Sequence, residues 1–371
     1  MRVLFVHRSL APPGGGTAVA AWMLHMLAHE HDVTTLTTDP WSPAATNAFY
    51  GTSIPDSVKR IVIPPPLRWL SGLPEDRLTR LRLCSVLHYA RPIADRFDLL
   101  VSGENYAPFP RRGIQYVNYP ADLQPAPAKW PVLVNGYFAF CDWLLGGRWA
   151  DAAQNVTLAN SQWTADGLER LGEVSRPIVV YPPVIKPEGL SWSKRDDAFL
   201  CIGRFHGSKR IELAIAIVKR VRESVLPSAR LLLVGSAVDA HYTKRIRRMA
   251  LREGDWIDFR EDLSRQQLNA LMGRTKYGIQ AMENEHFGMA TAEMTRAGCL
   301  VFAHRSGGTP EVLDHENAVL WSSEDEAVAR ISAIVQGGRG DVLSSRLRVH
   351  AEKFSSEAFI ERFRRTLKLG L

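Results

Sequence analysis

The run Asn284-Glu285-His286-Phe287-Gly288-Met289-Ala290-Thr291-Ala292-Glu293 sets two glutamates seven residues apart across a loop-to-helix junction. Gly288 can serve the turn, and Met289 to Arg296 are helix-tolerant residues that run out at Ala297-Gly298. A helix begun there aims free backbone N–H groups at an anion. Glu285, in the loop, would face a sugar, while Glu293, one to two turns in, could accept two hydrogen bonds from a ribose. Ser306-Gly307-Gly308-Thr309-Pro310-Glu311 carries a second helix-start signature, with Thr309 as N-cap and Pro310 at the first helical position. Its two glycines let backbone approach a ligand closely, although such turns also occur in plain connections. A third element, Arg204-Phe205-His206-Gly207-Ser208-Lys209-Arg210, follows the strand pattern Phe199–Gly203. Fixed cations at a strand end suit a leaving group on which negative charge accumulates, such as a diphosphate.

Together these runs resemble the donor site of retaining glycosyltransferase family 4. The stretch Asn284 to Gly288, then Glu293-Met294, then Ala303-His304-Arg305-Ser306-Gly307-Gly308 is locally similar to the lipid-linked oligosaccharide α-1,2-mannosyltransferases of eukaryotes and their bacterial relatives. The resemblance implies an α/β protein of two Rossmann-like, doubly wound parallel-sheet domains facing each other across a cleft, the GT-B fold. It implies catalytic roles for Arg204, Lys209 and Glu285, with Arg204 and Lys209 on the diphosphate and Glu285 orienting the donor sugar. Gly203, His286, Phe287, Gly288, Met289, Glu293, Gly307 and Gly308 would complete the donor cradle. No cofactor and no metal is expected: the chain has no Asp-x-Asp ligand pair of the kind that metal-dependent transferases use. Arg260, Glu261 and Asp262 follow a strand where the family places nucleobase contacts, often through main chain, so their side chains do not identify the base.

The first half carries a weaker signal. Strand Val3–Val6 leads into a loop whose Gly14, Gly15 and Gly16 precede a helix expected to begin near Thr17, offering N–H groups or close approach in an acceptor cleft. Seven residues, two of them proline, separate the strand from Gly14, and no Gly-x-Gly-x-x-Gly occurs, which argues against a dinucleotide fingerprint. In Tyr116-Val117-Asn118-Tyr119-Pro120, Asn118 stands where many relatives carry a histidine near the reacting sugar. Asparagine cannot act as acid or base near neutral pH, so that position is positional rather than chemical, the acceptor differs, or His7 or His88 fills the space.

Length and composition bound these readings. The 371 residues suit two domains, and 46% hydrophobic with 23% charged residues describes an ordinary soluble protein. No apolar run is long enough to span a membrane, and Met1 to Val6 enters a strand pattern directly, without a leader. Cys84, Cys141, Cys201 and Cys299 lie far apart and read as free thiols of a reducing cytoplasm. The net charge of +7 is concentrated late: residues 1–185 hold 16 Lys/Arg against 15 Asp/Glu, the remainder 30 against 24. That excess favours an acidic partner such as a nucleotide sugar, or an anionic membrane surface; no module or aromatic-interleaved basic motif points to nucleic acid. Trp130, Trp143, Trp149 and Trp163, with Tyr137, Phe138 and Phe140, crowd one region, and Leu67 to Leu87 mixes leucine, Trp69 and arginine. Peripheral membrane contact, core packing and substrate stacking all account for such patches.

The elements that must position these residues alternate short apolar runs with helical segments, in two series. The first comprises Val3–Val6, Val33–Thr37, Arg60–Ile63, Leu99–Ser102, Ile114–Val117, Val156–Ala159 and Ile178–Tyr181. Phe199–Gly203, Leu231–Gly235, Trp256–Phe259, Gly278–Met282, Leu300–Ala303 and Val319–Trp321 form the second. The proline-rich break from Pro182 to Gly189 separates an acceptor domain, residues 1–184, from a donor domain, residues 185–354. Residues 355–371 carry a helical stripe of Phe359, Ile360, Phe363 and Leu367, expected to cross back to the first domain. The function expected is transfer of a hexose, mannose by resemblance, from a nucleotide diphosphate sugar to a hydroxyl acceptor: a glycan, a lipid-linked sugar or a small molecule. Cytoplasmic location follows, with the cytoplasmic membrane face as the peripheral variant. A nucleotide-sugar epimerase or hydrolase of the same fold, and a non-catalytic nucleotide-binding relative, are the alternatives.

Overall fold

The computed structural model describes residues 1–12, 14–63, 79–120, 131–172, 174 and 176–370. It divides into two compact units, residues 1–183 with 356–371, and residues 184–355. Trp69 and the rest of the Leu67 to Leu78 stretch, together with Trp130, lie outside the described residues.

The first unit is built on seven parallel strands: β1 (Arg2–Val6), β2 (Asp32–Thr37), β3 (Lys59–Val62), β4 (Leu99–Ser102), β5 (Ile114–Val117), β6 (Val156–Ala159) and β7 (Ile178–Val179). Their order is β3-β2-β1-β4-β5-β6-β7. Helices α1 (Gly15–Glu30), α2 (Pro43–Tyr50), α3 (Thr79–Ala90), α4 (Pro131–Leu145) and α5 (Gln162–Leu171) connect them. Because side chains alternate across a strand, Val3 and Phe5 enter the core that holds α1, while Leu4 and Val6 enter the one that holds α3. Both faces of β1, β4, β5 and β6 are therefore buried, which is why these strands read as continuous apolar runs. The C-terminal helix Ser356–Leu367 belongs to this unit: Phe359, Phe363 and Leu367 are buried with Val19, Leu27 and Tyr116, and Arg364 pairs with Glu30 at 2.7 Å.

The second unit has six parallel strands: β8 (Asp196–Ile202), β9 (Arg230–Gly235), β10 (Ile257–Glu261), β11 (Thr275–Gln280), β12 (Leu300–His304) and β13 (Leu320–Trp321). Interleaved are α6 (Ile211–Ser224), α7 (Ala240–Glu253), α8 (Arg265–Arg274), α9 (Met289–Arg296), α10 (Thr309–Val312), α11 (Glu324–Gly337) and α12 (Gly340–His350). The order is β10-β9-β8-β11-β12-β13, so successive connections run outward in both directions from β8 and β11. Side-chain caps from Asp239, Ser264 and Ser323 start α7, α8 and α11.

Several expected boundaries move. Helix α1 begins at Gly15 rather than near Thr17, so Gly15 and Gly16 form its first turn and only Gly14 precedes it. A first turn of glycine is held here by the packing of Ala18 to Leu27 rather than by helix propensity. Strand β10 includes Arg260 and Glu261, which the sequence reading set beyond it. It is an edge strand, where charge is tolerated, and its charges are paired: Arg260 with Asp258 at 2.6 Å and Glu261 with Arg247.

Candidate functional site

In an open parallel sheet, connections that leave adjacent strands in opposite directions open a crevice at the strands' carboxyl ends. In the second unit that point lies between β8 and β11. Gln280, at the end of β11, donates to the Ile202 carbonyl of β8 at 2.9 Å and ties the two strand ends together. The loop after β8 makes a 3-10 turn at Gly207–Lys209, started by the His206 ring, which accepts the Ser208 N–H at 3.2 Å. Lys209 runs back over Gly203, where a Cβ would stand 3.4 Å from its Cδ and Cε, and its Nζ hydrogen-bonds Glu285 Oε2 from the loop after β11. This ion pair is only 18% and 22% exposed, so its charges are screened less than a surface pair's.

Glycines draw a second loop against the first. The Gly308 N–H donates to the Glu285 carbonyl at 2.7 Å, and Glu285 and Gly307 form a parallel bridge. Gly307 has φ +83°, and a Cβ there would stand 2.3 Å from the Glu285 carbonyl oxygen. At Gly308 it would stand 2.3 Å from the His286 carbonyl oxygen. Gly288, with φ +100°, precedes α9, and no side chain caps that helix, so the N–H groups of its first turn, beginning at Met289, depend on acceptors from outside it. Phe287 is buried edge-on to Phe354, with ring centroids 5.3 Å apart, which fixes the loop just ahead of the helix. His286 titrates below the usual histidine range because burial and the Lys209 charge outweigh Glu285, leaving a neutral ring near pH 7.

Thus Gly203, Lys209, Glu285, His286, Gly307, Gly308 and Gly288 form one connected cluster. Arg204, two residues past the end of β8, is exposed, with no ion-pair partner among the described residues. Glu293 lies in α9 with its carboxylate 2.8 Å from Arg265 Nη2 of α8. Thr309 is not the N-cap: Gly308 takes that position, α10 starts at Thr309, and the buried Thr309 side chain packs beside Gly288. Four further polar residues, to which the sequence assigned no role, border the cluster. Arg265 is one; the others are Arg210, whose backbone is left-handed at φ 49°, Glu283, which pairs with it, and His304, 3.7 Å from Glu283. The basic residue directly after Lys209 and the glutamate two before Glu285 were the available hints.

The first unit has its own switch point, between β1 and β4. Glu104, after β4, accepts the Arg8 backbone N–H at 2.8 Å and Arg8 Nε at 2.8 Å, with His7 Nδ1 at 3.4 Å. Burial alone would raise its pKa, but Arg8 and His7 together hold it at about 2, so the carboxylate anchors the root of the glycine-bearing loop and is no proton acceptor. Asn118 follows β5, its N–H donating to Asn105 Oδ1 at 2.8 Å, and its side chain faces Gly16, where a Cβ would stand 3.5 Å from Nδ2. Of the two histidines weighed for this region, His7 sits by Glu104, whereas His88 is in α3, bonded to the Leu144 carbonyl at 2.7 Å.

Residues 185–353 match the family model for glycosyl transferases group 1. The second unit is a glycosyl transferases group 1 domain. Two curated relatives of the chain carry the name GDP-Man:Man(3)GlcNAc(2)-PP-Dol alpha-1,2-mannosyltransferase. That of Neurospora crassa is 29% identical over 190 residues, 42% of this chain and 34% of the relative. That of Homo sapiens is 26% identical over 247 residues, 61% of this chain and 48% of the relative. The chain therefore spans less than half the length of either. Among solved structures, that of Anabaena HepE in complex with UDP and glucose superposes with a TM-score of 0.70 at 16% identity, over 99% of each chain. That likeness is one of fold: two parallel-sheet α/β units of the GT-B class, of which the group 1 domain is one.

Proposed function

We propose that the chain is a retaining, metal-independent glycosyltransferase that moves a hexose, mannose from GDP-mannose in the first instance, to a hydroxyl of a glycan or lipid-linked acceptor. The observation that carries this reading is the Lys209–Glu285 pair at the β8/β11 switch point of a group 1 domain, flanked by the uncapped start of α9. The choice of mannose and of a lipid-linked acceptor follows the names of the two relatives. In the reaction the bond from the anomeric carbon to the diphosphate oxygen breaks and a bond to the acceptor oxygen forms on the same face. The acceptor proton passes to the departing diphosphate. Lys209, Arg204 and the first N–H groups of α9 oppose the charge that develops on that diphosphate. Lys209 pairs with Glu285, and a donor diphosphate would give the lysine a second anionic partner to exchange for the first. Glu285, released from Lys209, then accepts hydrogen bonds from the sugar hydroxyls.

An acceptor on a lipid requires an approach to a membrane surface. No described helix is long and apolar enough to cross a membrane. On α4, Phe140 and Trp143 stack at 5.8 Å, and Trp143 is 74% exposed, an aromatic surface suited to the headgroup region of the cytoplasmic leaflet.

The test is transfer from radiolabelled GDP-mannose or UDP-glucose to polyprenyl-diphosphate glycans, with EDTA present, and proton NMR of the new linkage. An α-linked product made only with acceptor supports the reading. Donor consumed without acceptor indicates a hydrolase or epimerase, and binding without conversion a non-catalytic relative.

A further inference from the structure

Arg265 occupies the first position of α8, where a cation opposes the helix dipole. Nothing in the helix start calls for it: Ser264 and Gln267 already form a reciprocal cap, with Ser264 Oγ accepting the Gln267 N–H at 3.2 Å and Gln267 Oε1 accepting the Ser264 N–H at 2.9 Å. Its guanidinium is turned instead toward Glu293, with Nη2 2.8 Å from Oε1 and the two side chains only 18% and 13% exposed. The approach is close but poorly aligned. Arg265 Nε and Nη2 are both buried and neither completes a hydrogen bond. A guanidinium fork held beside a single carboxylate with two N–H groups unspent is an unusual arrangement for a purely structural pair, since buried donors are nearly always satisfied.

We propose that Arg265 is a positioning residue for the ribose of the nucleotide, and that Arg265 and Glu293 act as one recognition unit for its vicinal hydroxyls. This rests on the reading of the second unit as a nucleotide-sugar site. A hydroxyl group both donates and accepts. Glu293 accepts hydrogen bonds from the two hydroxyls, and Arg265, whose Nε and Nη2 are closed to solvent, acts through Glu293 by holding its carboxylate in place. Without Arg265 the rotamer of that carboxylate is not held. The charges of the unit cancel, so it recognises hydroxyl geometry and adds little attraction for phosphate.

Calorimetric titration of GDP, 2′-deoxy-GDP and 2′,3′-dideoxy-GDP, with UDP and its deoxy forms as a second series, tests this on the intact chain. Wild-type protein should prefer the ribonucleotide by about tenfold or more. Arg265→Gln should abolish most of that preference while leaving dideoxynucleotide affinity within about twofold, and Arg265→Lys, which keeps charge and loses the fork, should restore only part of it. Glu293→Gln should lose the same preference, and the double variant should lose no more than either single one. Arg265→Gln with an unchanged ribose preference, or with equal losses for all three nucleotides, overturns the inference. If wild-type protein binds nucleotides without ribose preference, the inference fails and the nucleotide-sugar reading stands. Should wild-type protein bind no nucleotide at all, both fall.

Discussion

The contact between the two site loops can be separated from backbone strain by two alanine substitutions in the same unit. Gly307 and Gly338 both have positive φ, +83° and +61°, so Gly307→Ala and Gly338→Ala each force an L residue into the left-handed region at about 1–2 kcal/mol. They differ in what the new methyl meets. At Gly338 nothing lies within 4 Å, whereas at Gly307 the Cβ would stand 2.3 Å from the Glu285 carbonyl oxygen and 2.6 Å from its nitrogen, both backbone atoms that cannot rotate away. Relieving that overlap means parting the loops and losing the Gly308-to-Glu285 hydrogen bond, a further cost of about 1–3 kcal/mol. For a unit of this size about 2–4 °C accompanies each kcal/mol, so Gly307→Ala should melt roughly 2–12 °C below Gly338→Ala. Scanning calorimetry gives the stabilities, and titration with a nucleotide sugar should show affinity lost in Gly307→Ala alone, because Glu285 moves with its backbone. Equal melting temperatures for the two variants would refute the claim that Gly307 clamps Glu285.

Three other outcomes follow from the geometry. Lys209→Ala should lower turnover by about 10²–10³-fold while nucleotide affinity changes far less, read by single-turnover kinetics beside calorimetry; equal losses would remove its role in the transition state. Glu104 has a folded pKa of about 2 against a reference of 4.5, a depressed carboxylate, so its stabilisation is complete above pH 4.5 and disappears as pH falls through 2. The stability gap between wild type and Glu104→Gln, about 3 kcal/mol from the titration alone, should therefore narrow in urea melts as pH drops from 5 toward 3, and a gap independent of pH would contradict the Arg8–Glu104 anchor. Phe359→Ala, which empties a site buried between Tyr116 and Phe363, should destabilise the first unit by about 3–5 kcal/mol, seen as lost hydrogen-exchange protection in α1 and β5; unchanged protection there would place the helix outside that core.

The repeating α/β pattern was legible because β1, β4 to β6, β8 and β9 are buried on both faces and so write continuous apolar runs into the chain. The start of α9 was legible too, since Gly288 and the residues after it determine that junction locally. Where position depends on distant packing, sequence says less. Thr309 has the residue type of a cap, yet its burial beside Gly288 makes it the first helical residue. Arg260 and Glu261 look like loop residues because they are charged, and they remain in β10 because that strand has an open edge. Which residues pair at long range was not legible: Arg8 with Glu104, Arg210 with Glu283 and Arg265 with Glu293 join separate connections between strands, and no spacing announces the partners.

The measurement closest to the central claim is a thermal-shift panel of GDP, UDP, ADP and TDP with their common sugar conjugates, each with and without EDTA. At about 100 times its dissociation constant a ligand of the native state adds about 2.7 kcal/mol, which for a unit of this size is roughly 5–11 °C. A saturable shift by GDP or GDP-mannose that EDTA leaves unchanged is the expected result, and a shift by UDP alone would keep the transferase and discard mannose. No shift with any nucleotide, or a shift that EDTA abolishes, would contradict a metal-independent nucleotide-sugar site built on Lys209, Glu285 and the start of α9.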